Sequence, residues 1–270
     1  MFDNICKFIA ESFSPDFANW LLGESITLTE LSPKELSLEP IRADALILLQ
    51  SSDVVLHLEF QTQPDANIPF RMADYRLRVY RRFPQKRMLQ VVIYLNKTTS
   101  ELVYQTTFSI QNLSHEFTVI RLWEQSPEIF LRTPGLLPFA VLSNTDDKIN
   151  TLREVGVVID SIGDRQMQNN LTASTAILAG LVLEQEVIQR LLRRDTMRES
   201  VIYQMIVEEG IEVGKQQGRQ EGRQEGRQEG SQEKAREIAL NLLAEGMGIE
   251  AVARITGLTV KLVQQLQQEI

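Results

Sequence analysis

The chain has 270 residues, 43% of them hydrophobic, and a formal net charge of -8, which is enough apolar material for a substantial core and more than one structural unit. The single cysteine, Cys6, excludes an intrachain disulfide and fits a reducing cytoplasm; the two histidines, His57 and His115, cannot complete a zinc site with that one thiol. Residues 1–22 carry acids and lack the basic start and apolar run of a secretory signal, and the strongest later apolar run, Ala176 to Leu183, is too short to cross a bilayer.

Residues 4–22 have helical character with a break at Ser14-Pro15, and Ile26 to Leu31 reads as a first strand. Two short apolar runs follow, Ala45 to Leu49 and Val54 to Phe60, separated by Gln50-Ser51-Ser52-Asp53, which is turn chemistry. An antiparallel hairpin results. With Leu49 facing Val54 across the turn, position 44 faces 59 and position 42 faces 61. Side chains alternate between faces, so Arg42, Asp44, Glu59 and Gln61 share one face, while Ala45, Ile47, Leu56, Leu58 and Phe60 share the other. Directly opposed residues in such a pair lie about 5 Å apart, where two carboxylates repel each other. A hard cation between them turns the repulsion into a binding site: Mg2+ takes oxygen ligands, commonly one or two carboxylates with water and phosphate. Gln61 projects from the same face and can orient water or a phosphate oxygen without supplying positive charge. A salt-bridged Asp44 and a solvent-facing Glu59 are the plain alternative.

Ile68 to Phe83 reads as a helix, with Pro69 in its first turn and Pro84 ending it. Arg71, Tyr75, Arg78 and Arg82 recur at helical spacing as a basic, aromatic-bearing stripe suited to a phosphate backbone, with Met72, Leu77 and Tyr80 available to pack inward. Met88 to Leu95 and Phe117 to Trp123 are further strands, Ser126 to Pro138 is loop-rich, and from Thr145 onward the pattern is helical, with Leu171 to Arg194 packing on what precedes it.

Ala43-Asp44, a spacer, Glu59-Phe60-Gln61, the arginine helix and the strand from Met88 together resemble the PD-(D/E)XK nuclease superfamily, and within it the recombination-promoting nuclease/transposase family. The most specific part is Leu58-Glu59-Phe60-Gln61-Thr62-Gln63 with the following Arg-Met-x-x-Tyr, and the resemblance covers roughly residues 40–96. It implies an α/β, restriction-endonuclease-like mixed sheet flanked by helices over residues 1–145. It also implies Asp44 and Glu59 as metal ligands, the Phe60 carbonyl as another, Gln61 as the third catalytic position, and an acid from the first helix, for which Glu11 is a candidate. The superfamily signature has Lys where Gln61 stands and Pro where Ala43 stands; glutamine at the former position is common in the branch resembled.

Residues 146–210 form a helical extension. From Gly214 to Gly230 a glycine recurs every four residues in Gly-Arg-Gln-Glu units. On one helix this lines up a glycine stripe with Arg219, Arg223 and Arg227 on one edge and Glu221, Glu225 and Glu229 on the other, so that like charges stack at i, i+4. A parallel homodimer through residues 211–232 sets each Arg edge against a Glu edge; a flexible linker is the other reading. Residues 233–270 have helix-turn-helix spacing at Ala253, Gly257 and Val263. With Lys261 the only basic residue from 258 to 270, a packing role stands ahead of weak DNA binding. The combined expectation is a Mg2+- or Mn2+-dependent DNA endonuclease tied to recombination or mobile DNA, cytoplasmic, with no membrane partner and no small-molecule cofactor. The competing expectation is a catalytically silent DNA-binding or interaction protein on the same fold.

Overall fold

The computed structural model describes residues 2–31, 46–192 and 200–268, which form two compact units, Met1–Ile206 and Val207–Ile270. In the first, helices α1 (Phe2–Ser12) and α2 (Ser14–Leu22) precede strands β1 (Thr29–Glu30), β2 (Leu46–Gln50) and β3 (Val54–Gln61). Helix α3 (Ile68–Arg82) crosses over to β4 (Arg87–Tyr94), a hairpin β5 (Thr107–Ile110) and β6 (Leu113–Glu116) follows, and β7 (Thr118–Arg121) rejoins the sheet. The five-stranded sheet has the order β1-β2-β3-β4-β7, antiparallel from β1 to β3 and parallel from β3 to β7. This is the mixed sheet flanked by helices that the sequence predicts.

The hairpin register differs from the expectation by two residues. Leu49 faces Leu56, and Glu59 faces Leu46. The Ser51 N–H donates to the Val54 carbonyl at 2.9 Å, so only Ser52 and Asp53 connect the strands and pairing begins closer to the turn. Lys86 pins that turn from the α3–β4 connection, donating to the Gln50 side chain at 2.7 Å and the Ser51 carbonyl at 2.8 Å. A slip of two preserves the faces, whereas a slip of one would have exchanged them.

The acid-bearing face of the hairpin is not open to water, because β3 is central and buried from both sides, which removes the alternative of a solvent-facing Glu59. On one side Ile47, Leu49, Leu56, Leu58, Phe60, Val91 and Ile93 pack against α1, α2 and later helices, in the main core. Phe60 is stacked on Phe139 at 5.7 Å, and Phe17 meets both rings edge-on. Phe139 belongs to a 3-10 helix, Pro134–Leu142, where the sequence suggested loop. Its run is apolar without period because it is buried all round. Gly135 is required there: its N–H donates to Asp16, and an added Cβ would come within 2.3 Å of the Phe13 Cβ. Cys6 on α1 is fully buried in the same core.

The other face is covered by α3, whose inward residues are Ile68, Met72, Ala73, Tyr75 and Val79. Leu77 and Tyr80, expected inward, are 53% and 57% exposed. Val55 and Leu48 pack with Tyr75 and Val79; Val92 and Tyr94 pack with Ile68 and Met72. Between these two small apolar clusters runs a polar seam of His57, Glu59 and Gln90, all buried. Helices α4 (Pro127–Leu131), α5 (Lys148–Asp160), α6 (Arg165–Ala179) and α7 (Gln185–Leu191) follow, with Leu152, Val155, Leu171 and Ile188 joining the main core.

The second unit contains most of α8 (Val201–Ala244), then α9 (Ile249–Thr256) and α10 (Val260–Gln267). The glycine repeat lies within α8 and is helical, and Arg219, Arg223 and Arg227 are exposed. Ala239, Leu243, Val252, Ala253, Val263 and Leu266 form the small core of the three-helix end. Gly257 closes α9 in the left-handed region (φ 72°), and the Thr259 hydroxyl caps α10 by accepting from the Leu262 N–H. Among the described residues no helix is long and apolar enough to cross a membrane.

Phe139 supports β3 directly beneath the polar seam. Replacing it with Ala is expected to lower stability by about 3–5 kcal/mol, read as a fall in the urea midpoint with little change in slope; a loss under about 1 kcal/mol would show that the aromatic stack is not what holds the strand.

Candidate active site

Strand β3 alternates Val55, His57, Glu59 and Gln61 toward α3, which places Glu59 under the first turns of that helix at 2% exposure. One oxygen of its carboxylate, Oε2, accepts from the Arg71 guanidinium at 3.2 Å and from the Gln61 amide at 3.3 Å. Arg71 reaches on to Asp65 at 3.2 Å, so a single guanidinium bridges two carboxylates. Asp65 is fixed in turn, its other oxygen accepting from the Asn67 backbone and side-chain amides at the start of α3. The second Glu59 oxygen, Oε1, lies 3.9 Å from His57 Nε2.

Burial is the largest influence on Glu59 and pushes its carboxyl up to about 7; Arg71 and the Gln61 hydrogen bond act the other way without offsetting it. Burial also holds His57 down at about 3, helped by the positive charge of Arg71, so His57 is neutral at pH 7 and its contact with Glu59 is no ion pair. Tyr75, whose ring meets His57 edge-on at 5.2 Å, is pushed up to about 12, chiefly by burial. Two buried nitrogens around Glu59, His57 Nε2 and Arg71 Nε, have no hydrogen-bond partner. Buried polar atoms without a partner are uncommon, and both of these flank the same carboxylate.

Glu59 and Gln61 come together as expected. Asp44 lies outside the described residues. The Gln61 carbonyl accepts from the Leu95 N–H at 2.8 Å and so points toward β4. Carbonyls alternate along a strand, which turns the Phe60 carbonyl toward the β2 edge, just past the Leu46–Glu59 pair. Glu11 stands elsewhere: Lys7 sits 3.5 Å from it and 3.2 Å from Glu30, and burial with those two charges governs its titration. The first-helix acid whose charge does act on Glu59 is Asp3.

The expected arginine stripe is not a uniform solvent face. Arg71 is half-buried in the site, Tyr75 is turned inward, Arg78 grips Asp74 with both carboxylate oxygens within 3.0 Å of its Nε, and Arg82 is exposed. The helix must offer Met72, Tyr75 and Val79 to the sheet, which rotates Leu77 and Tyr80 outward. Sequence reasoning missed Asp65, whose only local signal is the Asp-x-Asn turn before α3, and it left His57, Gln90 and His115 unconnected.

A divalent cation suits this place chemically. The guanidinium already stands as a cation between carboxylates, and Glu59, a strand-end carbonyl and a side-chain amide are the hard oxygen donors that Mg2+ or Mn2+ takes. Among the described residues no group of three His, Cys, Asp or Glu is arranged to hold a metal ion.

Residues 232–268 match the family model for the C-terminal HTH domain of the Rpn/YhgA-like nuclease family. The match spans the end of α8, α9 and α10, and it accords with the nuclease family that residues 40–96 resemble. It also brings forward the DNA-binding reading of this module over the packing role. No curated protein and no solved structure matches the chain.

Because the folded-state value of Glu59 lies above its ordinary 4.5, its protonation favours the fold: the contribution is complete below about 4.5 and is lost as pH rises through about 7. Glu59→Gln, permanently neutral, should therefore gain on wild type across that window by at most about 1.4 kcal/mol per pH unit, then level off. His57 runs oppositely, losing stability as pH falls from about 6.5 toward 3, but it is present in both proteins and largely drops out of the difference. Urea titrations at stepped pH test this; a flat difference between pH 4.5 and 7 would show that Glu59 titrates normally.

Proposed function

We propose that the chain is a metal-dependent DNA endonuclease serving recombination or mobile DNA, with its active site at the C-terminal end of β3. The observation that carries this reading is the buried Glu59, which shares one oxygen between the Arg71 guanidinium and the Gln61 amide. Glu59, Asp44 and the Phe60 carbonyl hold Mg2+ or Mn2+, with Asp3 as an acid whose charge reaches the site. When bound, the ion lowers the pKa of a water and neutralises charge on the phosphate.

The chain's own groups do the rest. Gln61 orients water or a phosphate oxygen through its amide. Arg71 supplies the positive charge that glutamine lacks at that position: guanidinium recognises phosphate with paired N–H donors, and the unpartnered Nε–H is one more. Asp65 keeps Arg71 beside Glu59 while the substrate is absent. Arg82 contacts the DNA backbone from the exposed end of α3. The C-terminal module adds a second DNA contact through α10, whose exposed Lys261, Gln264 and Gln265 carry little charge, so its sequence-independent attraction is weak. One observation favours the silent alternative: the Arg71 guanidinium already stands 3.2 Å from Glu59 as its counter-charge.

Supercoiled plasmid with Mg2+ or Mn2+ separates the two. Cleavage by wild type should fall at least about a hundredfold in Glu59→Ala and Asp44→Ala, and about ten- to a hundredfold in Arg71→Ala with partial recovery in Arg71→Lys. Full activity in the first two variants would remove the proposed site, and an inert wild type that still shifts DNA in a gel would establish the silent reading.

The arginine edge of α8 supports a parallel homodimer through residues 211–232, with glycines whose added Cβ would meet nothing within 4 Å among the described residues. Light scattering should give a doubled mass for the full chain and a monomer mass for a version ending at residue 210; equal monomer masses would dismiss the dimer.

A further inference from the structure

We propose that Gln90 and His115 lock His57 as its Nε2–H tautomer, and that the N–H so directed fixes which oxygen of Glu59 faces the substrate. The role, though not the tautomer, rests on the reading of Glu59 as the metal-side acid. Gln90 on β4 is buried, and its side-chain amide makes three short contacts: Nε2 to the Met72 carbonyl at 2.8 Å, Nε2 to His57 Nδ1 at 2.9 Å, and Oε1 to His115 Nε2 at 2.8 Å. The Met72 carbonyl can only accept, which assigns the amide nitrogen to that side and excludes the flipped orientation. One amide hydrogen serves Met72. The other points at His57 Nδ1, which must then be the acceptor. A neutral imidazole with an accepting Nδ1 carries its proton on Nε2. On the opposite end the Gln90 oxygen accepts, so His115 on β6 donates from its own Nε2.

The consequence falls on Glu59. His57 Nε2 is buried without a hydrogen-bond partner and lies 3.9 Å from Glu59 Oε1. An unsatisfied buried N–H is unfavourable, and an approach of about 1 Å by the carboxylate would satisfy it. Oε2 is already committed to Gln61 and Arg71 on the open side. His57 therefore takes Oε1 and leaves Oε2 toward the substrate side, in the manner of groups behind a metal site that orient the ligands in front of it. Three strands cooperate in this, β3 through His57, β4 through Gln90 and β6 through His115. The hairpin β5–β6 thus acquires a task that its own two strands do not explain: it closes the chain of hydrogen bonds that ends at Glu59. His57 is a positioning residue.

Long-range 1H–15N correlation spectra of the full chain, metal-free at neutral pH, read the tautomer directly, and His57→Gln assigns which signals belong to which of the two histidines. The expected pattern for His57 is a protonated Nε2 and a bare Nδ1; a protonated Nδ1 overturns the proposal without any variant. The role is read by Mn2+ uptake, followed by the electron paramagnetic resonance of the free ion. His57→Phe should weaken uptake about tenfold or more, and His57→Gln, which returns an N–H near the Nε2 position, should recover part of it. Equal uptake by wild type and His57→Phe overturns the positioning role. A wild type that shows Nε2–H yet takes up no Mn2+ supports the lock while removing the metal reading, so the two failures remain distinct.

Discussion

A carboxylate on a strand buried from both sides is the constraint around which the first unit is organised. Glu59 is buried, and its carboxylate meets Arg71 and Gln61 at one oxygen and His57 at the other, with Asp65 holding the arginine. The seam they make splits the packing between sheet and helix into two small apolar clusters instead of one. Apolar packing on that face gives way to the polar seam. The opposite face compensates with the continuous core and the stacked rings of Phe60 and Phe139.

Much of this was readable in the residues. Period-two alternation put Ile47 of one strand on the same face as Leu56, Leu58 and Phe60 of the next, and that cross-strand assignment survives because the true register is displaced by an even number. The displacement itself was hidden in the turn, where Gln50 and Ser51 look like loop residues but belong to the ladder. Pro69 and Pro84 marked the limits of α3 well, yet the helix was phased by its arginines when the sheet had already fixed the phase. Tyr75 and Val79 face inward because Val55 and Leu48 meet them, a contact no local pattern contains.

What could not be read was long-range. Gln90 and His115 lie 25 residues apart in sequence, and His57 and Gln90 lie 33 apart. Nothing in either spacing announces that one amide joins the two imidazoles. Glu11 was the first-helix acid the sequence offered; the packing of α1 against the sheet instead brings the charge of Asp3 to bear on Glu59. The buried 3-10 helix escaped because periodicity vanishes when every side of a segment is covered.

The lone thiol is useful in a different way. Cys6 lies sealed in the core beneath the sheet, and burial pushes it well above the usual thiol range, so in the native state it is neither accessible nor appreciably a thiolate. No second cysteine exists anywhere in the sequence. The protein therefore carries an internal clock for its own opening: an alkylating reagent is consumed only when α1 parts from the strands. Melting confined to the C-terminal module, which has no sulfhydryl, passes without a signal.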